Sequence, residues 1–178
     1  FLQYATQGYM FPDTYLIPRD ATGAAVAKIF LDNFNTKVTA AMREDGRKNG
    51  LSFDQLITLA SLVEREGKTD ADRPVIAGIL LNRIKLGMPL QVDATLQYAL
   101  GYQPFEKTWW KKELTEDDKK INSPYNTYLT PGLPPAPIAN PGLASIKAAI
   151  YPTDTDYLYY LHDKPGAAHY AKTIEEHN

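Results

Sequence analysis

Residues 123–142, SPYNTYLTPGLPPAPIANPG, constrain the fold more than any other stretch of the chain. Proline has no backbone N–H and a fixed φ, and glycine loses too much entropy to sit well inside a helix or strand. Their recurrence here forbids regular structure. The stretch is too long and too particular to be a casual linker, and ordered loops of this length inside compact domains tend to carry binding.

Helical signals dominate before it. Asp20 is expected to N-cap a long helix through AAVAKIFLDNFNTKVTAAMRED (24–45), ended by Gly46 or Gly50. Ser52 followed by Gln55 is a capping box, with Leu56, Leu59, Ala60 and Val63 at helical spacing and Gly67 as the stop. A third helix is expected from near Pro74 to Gly87, and a short fourth from Asp93, as N-cap, to Gly101. Thr115 and Asp118 suit a further helical turn. After the loop, Asn140-Pro141 opens a helix that stops at Pro152. DYLYYLHD (156–163) and HYAKT (169–173) read as a hairpin across KPGAA, and Thr173 with Glu176 starts a last helix. The opening QGYMFPDTYLIPRD (7–20), broken by Pro12 and Pro18, reads as a short extended segment or edge strand and a turn. The fold class is therefore α+β, and the 178 residues suit a single domain, 1–178.

Composition narrows the chemistry. There is no cysteine, which removes disulfides, thiolate nucleophiles and Cys-based metal sites. A net charge of −2 gives no nucleic-acid footprint, and the pairs Lys111-Lys112 and Lys119-Lys120 read as solvated loop faces. His162, His169 and His177 lack metal-ligand spacing on one element. No phosphate loop or nucleophile elbow is present, and no cofactor is expected. No apolar run of about 18 residues exists to span a membrane. Twelve tyrosines, many in loop-like stretches, suit a polar groove that holds ring-shaped ligands.

The segment LASLVEREG (59–67) carries two glutamates out of an apolar run. On a helix, Glu64 lies at one edge of the apolar stripe, in line with Ile57 and Ala60. Glu66 lies at the other, in line with Leu59 and Leu62. A carboxyl at such an edge can lose its water, which favours the protonated form and can raise a pKa to roughly 6 to 7, the range of a general acid. Periodicity alone does not choose between the two residues, and solvated glutamates paired with Arg65 or Lys68 fit the same pattern.

Six pieces in order, GYMFPDTY (8–15), LASLVEREG (59–67), AGILLNRIKLGMPLQVDATLQYALG (77–101), SPYNTYLTPGLPPAPIANPG (123–142), YLYYLHD (157–163) and HYAKTIEEHN (169–178), resemble the endolytic murein transglycosylase family, the YceG-like proteins. The resemblance implies a lysozyme-like helical catalytic core with a small β-sheet portion. It implies cleavage of the β-1,4 bond between N-acetylmuramic acid and N-acetylglucosamine in peptidoglycan glycan strands without water, leaving a 1,6-anhydro ring. Glu64 falls on the position taken as the acid that then serves as base, with Glu66 supporting it. Gln91, Asp93, Thr95, Ser123, Tyr125, Asn126, Thr127 and Tyr128 would line the groove. Gln7 departs from the family, which usually has Glu there. The resemblance also implies a cell-envelope location on the outer face of the cytoplasmic membrane, an inner-membrane anchor and a LysM-like region absent from this soluble piece, and cell-wall synthesis proteins as partners.

Two rival functions keep the same residues. One is a two-carboxylate hydrolase using Glu64 with Glu66 or Asp93. The other is an inactive glycan-binding module, for which Gln7 is the hint. Trp109 and Trp110 suit sugar stacking, although adjacent tryptophans more often pack at a domain edge.

Overall fold

The Ser52 capping box forms as its spacing predicts: Ser52 Oγ accepts from Gln55 N at 3.2 Å, and Gln55 Oε1 accepts from Ser52 N at 2.9 Å. In this computed structural model, which describes residues 6–177, that box starts the central element of the fold. The helices are α1 (Gly23–Lys37), α2 (Ala40–Arg47), α3 (Phe53–Glu66), α4 (Asp72–Lys85), α5 (Asp93–Leu100), α6 (Leu143–Ile150) and α7 (Ile174–His177). A 3₁₀ turn spans Asp118–Lys120, and strands β1 (Tyr159–His162) and β2 (Ala168–Ala171) pair antiparallel, with Tyr159 opposite Ala171 and His162 opposite Ala168. The architecture is α+β, as the sequence predicts.

Helix α3 is buried on every side from Leu56 to Val63. It packs chiefly on α6 and α4, and also meets α2 and α5. Its polar residues are absorbed locally. Thr58 Oγ1 donates back to Asp54 O, and Ser61 Oγ donates to Thr58 O while accepting from Ile138 N at 3.0 Å. That last bond pins the proline-rich stretch to the core. Asn140 Oδ1 accepts from Gly8 N and Met10 N, tying the same stretch to the start of the described chain. Helix α4 runs close against residues 153–155: a Cβ on Gly78 would stand 2.3 Å from Thr153 O, so only glycine fits there.

Four expectations are corrected. The long helix over 24–45 is two helices, because Val38 leaves helical geometry and Thr39 N-caps α2, accepting from Met42 N at 3.3 Å. The Asn35–Thr39 run is rich in weak helix formers, and Thr39 offers the backbone a cap instead. Helix α1 is capped by Thr22, not Asp20. The segment 7–20 forms no strand; its prolines deny it a ladder, and a turn (Tyr9 N to Thr6 O) and the buried Phe11 hold it instead. Strand β1 is shorter than 156–163 because α4 captures the preceding carbonyls: Asn82 Nδ2 donates to Thr155 O and Arg83 Nε to Leu158 O, both at 2.6 Å.

Candidate active site

The end of α3, the start of α5, the 123–130 loop and β1 converge on a cavity of about 400 Å³. Glu66, Asp93, Gln91, Tyr128, Tyr160 and Arg83 line it, with His162 on the β1 side. Glu66 is the last residue of α3 and half-buried. Tyr160 donates its hydroxyl to Glu66 Oε2 at 2.9 Å. Burial raises the Glu66 pKa; the Tyr160 hydrogen bond opposes this, and the Asp93 carboxylate raises it further. Tyr160 itself is held well above the usual phenol range by burial and by the Glu66 charge, so it acts as a donor.

Asp93 opens α5 but does not cap it; Val92 is the N-cap. Its Oδ1 instead accepts from the Tyr128 hydroxyl at 2.5 Å. Burial and this carboxylate raise the Tyr128 pKa. Arg83 is buried and spends its donors on structure: Nη1 reaches Pro89 O, Leu90 O and Gln91 Oε1, while Nε holds Leu158 O. It thereby fixes Gln91, whose φ of +54° is a left-handed conformation costly to a non-glycine residue.

Glu64 goes elsewhere. Its Oε2 accepts from Gly142 N at 3.0 Å and from Ser145 Oγ at 2.6 Å, and Arg73 Nε donates to the same Ser145 hydroxyl at 3.1 Å. The carboxyl group sits at the N-terminus of α6, where it takes up donors that the first helical turn leaves unpaired. Glu64 does not line this cavity or the second one described below.

Three residues expected to face a ligand are fully buried instead. Thr95 Oγ1 donates to Val92 O at 2.7 Å, so Thr127 Oγ1 donates to Thr95 Oγ1 at 2.9 Å while accepting from Val92 N at 3.0 Å. Asn126 Nδ2 donates to Lys119 O and Ile121 O, and its Oδ1 accepts from Tyr128 N. Together they lock the 123–130 loop onto the start of α5 and so aim Tyr128 and Asp93. Ser123 and Tyr125 line a second cavity of about 600 Å³, with Gln7, Tyr98, Trp109 and Trp110. Among the described residues no group of three or more His, Asp or Glu could hold a metal ion.

The model of the YceG-like family matches residues 1–178. The chain belongs to this family. It is 39% identical over 178 residues to an endolytic murein transglycosylase of Bacillus subtilis (strain 168), and 36% identical over 180 residues to one of Streptococcus pneumoniae serotype 2. Those alignments cover 99% of this chain but 47% and 32% of the relatives, so the chain spans at most about half their length. A crystal structure of a yceG-like protein from Listeria monocytogenes superposes with a TM-score of 0.88 at 36% identity, covering 98% of this chain and 55% of that one.

Within this YceG-like chain, sequence reasoning missed Tyr160 and Arg83 and set His162 aside. His162 Nε2 is buried without a hydrogen-bond partner, 3.9 Å from Asp72 Oδ2, and burial lowers its pKa. The available signal was the YLYYLH alternation, which puts Tyr160 and His162 on one face of a strand. Which face meets α3 and α4 is settled only by tertiary packing.

Proposed function

We propose that this chain carries the catalytic unit of an endolytic lytic transglycosylase, and that Glu66 rather than Glu64 is its acid. The names of the relatives supply the substrate class, the glycan strand of peptidoglycan. The observation that carries the choice of residue is the burial of the Glu66 carboxyl in the cavity, which favours its protonated form. Glu64, anchored at the start of α6, is proposed to be structural.

The protonated Glu66 gives its proton to the oxygen linking N-acetylmuramic acid C1 to N-acetylglucosamine. The C1–O bond breaks and the leaving sugar departs with a hydroxyl. The Glu66 carboxylate then takes the proton of the muramyl 6-hydroxyl as that oxygen bonds to C1. A 1,6-anhydro ring closes, the acid is regenerated and no water is consumed. Tyr160 holds the carboxyl in place, while Asp93, held by Tyr128, places negative charge where C1 becomes cation-like.

The presence of Asp93 in the same cavity favours a second reading, hydrolysis by two carboxylates. Mass spectrometry of fragments released from purified glycan strands separates the two. Anhydro-muramyl ends are expected; reducing ends heavier by one water would establish hydrolysis. The substrate places the chain in the cell envelope, and the remainder of the full-length protein is proposed to anchor it to the outer face of the cytoplasmic membrane, beside the cell-wall synthesis proteins.

A further inference from the structure

We propose that the second cavity is a binding subsite for an N-acetylated sugar of the same glycan strand, one side of it formed by Trp109. The proposal rests on the glycan reading above and extends it beyond the Glu66 cavity.

The cavity is walled by Gln7, Tyr98, Trp109, Trp110, Ser123 and Tyr125. Four of these are aromatic, and Tyr98 and Tyr125 stand as a tilted pair with ring centroids 4.8 Å apart. Such rings suit the C–H face of a pyranose, which is apolar over its surface and polar at its rim. The polar groups are few and uncharged. Gln7 Oε1 accepts from the Tyr98 hydroxyl at 2.9 Å, leaving the amide nitrogen as a donor, and Ser123 contributes a hydroxyl. An amide and a hydroxyl match an acetamido group and sugar hydroxyls, whereas an ionic ligand would find no countercharge in this lining. The volume of about 600 Å³ falls within the range of small-ligand sites.

Trp109 is 63% exposed. Its indole stands against the Tyr102 ring, centroids 5.4 Å apart, yet most of its surface stays in water beside the open cavity. Trp110 is covered by the Arg65 guanidinium, 3.7 Å from the ring centroid, and that stacking holds the 109–110 segment against α3.

Two segments, α5 and the 123–130 loop, line both cavities, and the end of α3 meets each. Arg65 stacks on a wall of the second cavity and Glu66 lines the first. On α5, Asp93 serves the first and Tyr98 the second, about 7 Å further along the axis. The loop gives Ser123 and Tyr125 to the second and Tyr128 to the first. A glycan strand threading past α5 would thus meet the aromatic cavity a short distance from the bond being cut. That arrangement suits an enzyme cutting within strands, since remote binding energy positions the reacting sugar.

The test uses the Glu66→Gln protein, which should bind without turnover, titrated with the hexamer of N-acetylglucosamine. Adding Trp109→Ala should weaken binding roughly 3- to 10-fold, Trp109→Phe should restore most of it, and Gln7→Ala should weaken it as well. One of the two indole N–H resonances, that of Trp109, should move on titration. Binding within about twofold of the parent in all three variants, with an unmoved Trp109 indole, would overturn the subsite and leave the glycan reading standing. If the hexamer does not bind and the native protein leaves purified glycan strands intact, both readings fall together.

Discussion

The Tyr160 hydroxyl donates to Glu66 Oε2 at 2.9 Å across the sheet–helix junction, the residues lying 94 positions apart. The bond stabilises the charged form of a carboxyl that burial drives toward the neutral form. Tyr160→Phe removes that opposition while keeping the ring. The Glu66 pKa should then rise further, and the alkaline limb of the pH–rate profile should move to higher pH. A profile that falls in height without moving would assign Tyr160 a packing role alone.

Stability should carry the same signature. Glu66 has a folded-state pKa above its unfolded value. Its contribution is fully present below the unfolded pKa and is lost as pH rises through the folded one. Glu66→Gln escapes that loss, so the variant should gain on the native protein as pH rises through the Glu66 titration. Urea unfolding at pH 4 and pH 8 checks this; an equal difference at both values would mean that the carboxyl titrates normally.

The buried hydroxyl pair predicts a different kind of loss. Thr127→Val leaves Val92 N without its acceptor and Thr95 Oγ1 without its donor. The cost should be about 2 kcal/mol in unfolding free energy. Activity should fall too, because the loop that aims Tyr128 at Asp93 loosens. Thr127→Ser, which keeps the hydroxyl, should recover most of both; no recovery would locate the effect in the lost methyl instead.

Much of the fold was legible because its signals are local. Ser52 with Gln55, and Thr115 with Asp118, announce their turns within four residues, and both form. The break at Val38–Thr39 was hidden because the apolar stripe continues through it, and only the competing Thr39 cap reveals it. The site was less legible than the fold. Edge positions on a helix identified both glutamates as able to be desolvated, but the choice between them depends on what crosses α3. The N-terminus of α6 meets Glu64, and Tyr160 meets Glu66. Likewise Thr95, Asn126 and Thr127 have the chemistry of sugar ligands in the sequence, and each is consumed by partners inside the fold.

The most direct measurement is the rate of fragment release from purified peptidoglycan by Glu66→Gln and Glu64→Gln, assayed side by side after circular dichroism shows both folded. Glu66→Gln should lose on the order of 10²-fold or more. Glu64→Gln should lose about 1 kcal/mol of stability at the α6 terminus and keep its rate within about tenfold. The reverse pattern, a silent Glu64→Gln protein and an active Glu66→Gln protein, would contradict the assignment of the acid.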